Sequence, residues 1–359
     1  MKVLIVDDIP DSVKGIQDFC SEKGWSVKTI PFENVYQHMI EFDPDIIVLD
    51  WCQEAGDNAA NPILDKIWTN GYRPVVVFSG NAKTISIEDK LKSSSLLRLY
   101  SKGDETPVNQ YLEENETYVT ALADYRRNMG LALVEAFNAI KPIRETEKDY
   151  PGDNIVKYIL AKRTSTYFDV QYMDQQLPPW GMSIYPPVAK SLLVCDIIRA
   201  VAPETNLDTA GEAEEYMMVL TPSCDMVASR PKVPHVLCAH CSRKKDFYCN
   251  NIRGEKGQEE QQIDKIRVAL NKGYNDQWVA LPYMENVIPY ITVNLKKIEL
   301  VALSEIALSI SSHTEQPYVR VLSIDSPFRE QIVWAHMQNA CRPGVPDRDT
   351  ENWARELKK

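Results

Sequence analysis

Two carboxylates, Asp7 and Asp8, stand side by side directly after the apolar run Val3-Leu4-Ile5-Val6. Adjacent anions repel each other unless a cation shares their space. Three later runs end in groups that could share it. DIIVLD, residues 45–50, ends in Asp50. RPVVVFSG, residues 73–80, ends in the Ser79 hydroxyl before Gly80. LLRLYSKGD, residues 96–104, carries Lys102 near its end. Three carboxylates, a hydroxyl and an amine form a set suited to phosphoryl transfer. The acids can hold a hard cation that keeps several waters, most plausibly Mg²⁺. Lys102 supplies a second positive charge and Ser79 a hydrogen bond to the transferred group. Asp50 can then act as the nucleophile and become an aspartyl-phosphate.

These residues lie far apart along the chain, so a fold must gather them. The runs at 2–6, 26–30, 45–50, 73–80 and 96–104 read as strands, and 10–23 and 34–42 carry apolar residues at helical spacing. Alternating strands and helices imply a five-stranded parallel sheet with helices on both faces, a doubly wound α/β domain. Ligands of such sheets bind outside the carboxyl ends of the strands. Asp7, Asp8, Asp50, Ser79 and Lys102 all fall at those ends.

On the pieces VDD (Asp7, Asp8), VLDW (Asp50), VVVFSG (Ser79) and YSKGD (Lys102), residues 1 to about 105 resemble the receiver domain of two-component response regulators. The resemblance implies phosphotransfer to Asp50 from a histidine kinase or phosphotransfer protein. It also implies a Mg²⁺ requirement and a switch in which the Ser79 hydroxyl is drawn toward the phosphate. The chain departs from the family in three places. Gly103 follows Lys102 where the family has proline. Leu99 holds the aromatic switch position, with Tyr100 one residue off. The loop after Asp50, WCQEAGDNAANP, is longer and more polar than usual.

A helical connector is expected over 106–150. Thr106-Pro107 is a helix start, and Tyr118, Leu122, Tyr125, Met129, Leu133, Ala136, Phe137 and Ile140 recur every three or four residues. It reads either as a signalling strut, with homodimerisation through 106–140, or as a helix packed on the following domain. YPG, 150–152, marks the boundary. Residues 151–359 then read as a mainly β domain, a small barrel or sandwich built from short runs such as NIVKYILAKR, TYFDVQYM, YMMVLTPSCDM and HVLCAHC. A charged excursion carries a helix at 259–271, and a C-terminal helix starts at Ser326-Pro327.

Four of the eight cysteines, Cys224, Cys238, Cys241 and Cys249, fall within 26 residues. The Cys-x2-Cys spacing of Cys238 and Cys241, with two further thiols, suggests a structural zinc site. His235 or His240 could replace one ligand. The other reading is a set of small buried side chains in a β core. The stretch LTPSCDM together with SPFRE resembles uncharacterised bacterial proteins of mobile or defence-associated loci. It marks Asp225, Arg329 and Glu330 as further candidates.

Charge narrows the function. Residues 1–150 hold 16 Lys and Arg against 25 Asp and Glu; residues 151–359 hold 24 against 26. Neither part is basic, so nucleic-acid binding has no electrostatic support. No apolar run approaches the roughly 20 residues of a membrane helix, and no secretory leader precedes the first strand. A cytoplasmic response regulator is therefore expected, with an output domain that acts by protein contact. The alternative is a receiver-gated enzyme, a nuclease or hydrolase, in a bacterial stress or phage-defence system.

Overall fold

The computed structural model describes residues 1–51, 60–69, 72–80, 82, 85, 97–146, 153–171, 176–249, 252, 259–341 and 348–358. The chain divides into two compact units, Met1–Asp174 and Gln175–Lys359. Most of the loop after Asp50, the YPG turn at 150–152 and the RPG expected to stop the last helix lie outside the described residues.

The first unit is built on strands β1 (Lys2–Val6), β2 (Ser26–Ile30), β3 (Ile46–Leu49), β4 (Val75–Ser79) and β5 (Leu97–Ser101). All pair in parallel, in the order β2-β1-β3-β4-β5. Helices α1 (Lys14–Glu22), α2 (Val35–Phe42), α3 (Ala60–Thr69) and α4 (Thr106–Glu114) cover both faces. That double cover explains the unbroken apolar runs. Val3 and Ile5 pack with Val13, Ile16, Val108 and Leu112 on one face. Leu4 and Val6 pack with Val35, Met39, Leu64 and Ile67 on the other. The 2-1-3-4-5 order is the doubly wound arrangement shared by flavodoxin-like and receiver domains.

Two long helices follow, α5 (Glu116–Thr146) and α6 (Asp153–Gln171). They pack as a hairpin, with Tyr125 stacked on Phe168 at 4.6 Å between ring centroids. The β-like runs NIVKYILAKR, 154–163, and TYFDVQYM, 166–173, are instead helical as far as Gln171 and belong to the first unit. The start of α5 is fastened to the sheet. Val119 and Ala123 are buried, and Trp25 Nε1 donates to Glu116 at 2.8 Å. Asp43 accepts from Arg73 at 3.0 Å, Arg126 at 2.7 Å and Arg127 at 2.8 Å. Burial opposes ionisation of Asp43, but these three guanidiniums outweigh it and hold the carboxyl well below the usual range.

The second unit holds one eight-stranded sheet. Its strands are β6 (Ser183–Ile184), β7 (Ile197–Ala200), β8 (Tyr216–Val219), β9 (His235–Arg243), β10 (Trp278–Leu281), β11 (Ile291–Ala302), β12 (Ile306–Ala307) and β13 (Tyr318–Ile324). All pairings but β12 with β13 are antiparallel. The runs from 191 to 324 with β character form these strands, in a mainly β region as expected. Helices α7 (Asp246–Cys249), α8 (Glu259–Lys272), α9 (Phe328–Ala340) and α10 (Thr350–Leu357) complete the unit. Inside it, Arg320 is buried against Asp196 at 3.2 Å and also donates to the carbonyls of Ala189, Ser191 and Leu308. No described helix in either unit is long and apolar enough to cross a membrane.

Candidate functional site

Strand register gathers the five residues. Val6 pairs with Leu49, Leu49 with Val77, and Val77 with Leu99. Asp7 and Asp50 therefore each leave their strand one residue past a matched pair. Backbone bonds fix the strand ends: Asp50 N donates to Val6 O at 2.9 Å, and Lys102 N to Ser79 O at 3.0 Å.

At these ends the Lys102 ammonium bridges two carboxylates. It donates to Asp7 Oδ2 at 2.6 Å and to Asp50 Oδ2 at 2.7 Å. Asp7 is 2% exposed and Ser79 is likewise buried. The Asp50 side chain is 13% exposed, more open than that of Asp7. Burial pulls the Lys102 pKa down, but the bonds to Asp50 and Asp7 outweigh it and the net shift is upward. Asp7 Oδ1 accepts from Ile9 N at 2.8 Å and Asp7 Oδ2 from Ser12 Oγ at 3.0 Å. Trp51 N donates to Asp50 Oδ1 at 2.7 Å. Asp8 is exposed and accepts from Phe32 N at 3.2 Å. Ser12 escaped the sequence reading; its signal was a hydroxyl five residues after Asp7, at the entry to a helix.

The donor set is oxygen only, which is the chemistry of a hard divalent cation. Two carboxylates, Asp7 and Asp50, face the one ammonium of Lys102, and Asp8 follows Asp7 in the chain. Among the described residues no group of three or more His, Cys, Asp or Glu already stands in a metal-holding arrangement. For the acids the cause is visible: the ammonium sits where Asp7 and Asp50 converge.

Two departures from the receiver pattern have a structural form. Gly103 has φ +112°, a conformation that suits glycine and strains a side chain. Leu99 is exposed on β5, whereas Tyr100 turns to the other face and packs on Tyr111 of α4, ring centroids 6.2 Å apart. The exposed switch position thus carries no aromatic ring.

The structure does not bring the four cysteines together. Cys238 and Cys241 both lie on β9, three residues apart. Successive side chains on a strand point to opposite faces, so an odd spacing separates them. Cys238 packs with Leu192, Ile198 and Val236 in one core, Cys241 with Tyr216, Val293 and Ala239 in the other. Desolvation pushes the Cys238 thiol up to about 12 and the Cys241 thiol higher still. Cys224 and Cys249 are exposed. His240 pairs with Glu299 at 2.9 Å, and His235 is exposed at the start of β9. The Cys-x2-Cys expected as half of a tetrahedral thiolate site lies on a strand rather than in a turn, its two side chains in separate cores. Asp225 pairs with Lys232 at 3.1 Å. Arg329 Nε donates to Ile324 O at 3.0 Å.

No protein-family model matches the chain, and no curated protein matches it. Solved receiver domains align with its N-terminal third. The N-terminal domain of a response regulator/sensory box/GGDEF protein from Carboxydothermus hydrogenoformans is 21% identical. It covers 36% of this chain and 98% of its own, with a TM-score of 0.28. The BeF3-activated N-terminal receiver domain of RstA from Klebsiella pneumoniae is 15% identical, covering 33% of this chain and 98% of its own, TM-score 0.26. A CheY-like receiver domain from Methylobacillus flagellatus is 14% identical, covering 32% and 97%, TM-score 0.26.

Proposed function

We propose that the first unit is a phospho-accepting receiver and that the protein is a response regulator. The observation that carries this reading is the Lys102 ammonium bridging Asp7 and Asp50 at the strand ends. Asp50 is the acceptor. One of its carboxylate oxygens attacks phosphorus, the bond from phosphorus to the donor's imidazole nitrogen breaks, and the imidazole leaves with that electron pair. Asp7, Asp8 and Asp50 would hold Mg²⁺, whose charge offsets that of the incoming phosphoryl group. Lys102 stabilises the charge that develops on the phosphoryl oxygens, and Ser79 offers them a hydroxyl. The donor is a histidine kinase or phosphotransfer protein.

The output leaves through α4 and α5. The first turns of α5 are pinned to the sheet by Asp43 and its three arginines. Beyond them Leu131, Leu133, Val134 and Phe137 are exposed. This apolar face supports self-association of two copies through α5, with the phospho-state setting the balance.

Trp51 offers a direct reading of the site, because it follows Asp50, bonds to it and is buried. Saturable change in Trp51 fluorescence on adding Mg²⁺, and a further change with beryllofluoride, is the expected result. Trp51→Phe identifies the signal. A Mg²⁺ response unaltered by Asp8→Asn together with Asp50→Asn contradicts the assigned metal ligands.

A further inference from the structure

The second unit contains a cleft that neither phosphotransfer nor self-association uses. Its volume is about 880 Å³. That lies within the roughly 300–1,000 Å³ of sites that enclose small organic molecules. It opens between α8, β10 and the first turn of α9. Three features fix its chemistry. First, the walls are apolar, with Leu270, Ala280 and Leu281 among them. Second, four aromatic rings face it, those of Phe247, Tyr248, Tyr290 and Phe328. Flat rings reward a flat apolar body by offset stacking. Third, among the described residues Lys244 is the one charged residue on the lining, its ammonium 5.5 Å from the Tyr290 ring centroid. No carboxylate pairs with it among the described residues. A cation held over a ring at the mouth of an apolar cleft, without an acidic partner, fits an anionic group on the ligand.

We propose that this cleft binds a small aromatic carboxylate, its ring system among the four aromatic side chains and its carboxylate on Lys244. The site does not depend on the phosphoacceptor reading, since every residue in it belongs to the second unit.

The test uses the full chain and 2-naphthoate, with 2-naphthylmethanol and 2-naphthylmethylammonium as uncharged and cationic counterparts, followed by titration calorimetry. Saturable binding of one 2-naphthoate per chain is expected, at least tenfold tighter than either counterpart. Lys244→Ala removes that preference. Leu270→Glu, at an exposed wall position, weakens 2-naphthoate more than it weakens either counterpart. Ala280→Trp fills the cleft and abolishes binding, and the melting transition of each variant shows that it is folded. Should Ala280→Trp fail to fold, Leu270→Glu alone reads occupancy of the cleft. The proposal is overturned by no saturable binding of 2-naphthoate at millimolar concentration. It is equally overturned by binding that Leu270→Glu leaves unchanged, or by equal affinity for all three head groups.

Discussion

At the residue scale, Lys102 decides how the acids coexist. Asp7 is buried, and a buried carboxylate without a partner is costly. Replacing Lys102 by Met leaves Asp7 and Asp50 facing each other, and a loss of about 3 kcal/mol is expected. The Lys102 pKa is raised in the folded state. Its stabilisation is therefore complete below the ordinary lysine value and is lost as pH rises through the folded value. Urea unfolding from pH 7 to 11 should show a constant gap between wild type and Lys102→Met up to about pH 10.5, closing above it. A gap that closes below pH 9 would mean the ammonium is not held by these acids.

The cysteines allow a second test at the same scale. With the thiols of Cys238 and Cys241 in separate cores, they should resist a water-soluble thiol reagent in the folded protein. Cys224, Cys249 and Cys341 are exposed and should react within minutes without any chelator. Mass mapping of the labelled peptides reads the outcome. Labelling of Cys224 and Cys249 only after chelation would restore the zinc site that the spacing suggested.

At the element scale, α5 is a 31-residue helix that follows α4 and packs against α6. The helix is held at its start by buried apolar contacts and by Asp43, and further along it Leu131, Leu133, Val134 and Phe137 are exposed. Val134→Glu places a charge on that face without touching the core, since Val134 is 59% exposed. Light scattering with beryllofluoride and Mg²⁺ should show wild-type dimers. Val134→Glu should weaken them by about 2 kcal/mol per protomer, the scale of burying one valine. Dimers of equal strength in both would place the contact elsewhere.

The same region shows where the sequence misleads. Residues 153–171 hold Ile155, Val156, Thr164, Thr166 and Val170 beside Tyr158, Tyr167 and Phe168, a composition that favours strands. Their apolar side chains spread around the helix, so the 3.6-residue period that marks an amphipathic helix is weak. Pairing with α5 overrides the local preference. The parallel strands were legible because burial on both faces writes itself as runs such as Val3–Val6 and Ile46–Leu49.

At the scale of the whole molecule, the two units differ in how much their sequences disclose. The set of Asp7, Asp8, Asp50, Ser79 and Lys102 could be read because its members fall at strand ends, and parallel topology brings strand ends together. The cleft of the second unit could not be read. Its lining comes from residues between Pro179 and Ile332, scattered over several elements, and no spacing rule connects them. The placement of the cysteines could not be read for a related reason: a Cys-x2-Cys means a knuckle in a turn and opposite faces on a strand, and the spacing does not say which.

The central claim is that Asp50 receives a phosphoryl group, and intact mass spectrometry tests it most directly. Full-length protein is incubated with acetyl phosphate and Mg²⁺, and the adduct is then mapped by borohydride trapping and peptide mass. The account predicts one added phosphoryl group per chain, located at Asp50, lost with Asp50→Asn and lost when EDTA removes the metal. A phosphoryl group that persists in Asp50→Asn, or a wild-type protein that never gains one from acetyl phosphate or phosphoramidate, would contradict it.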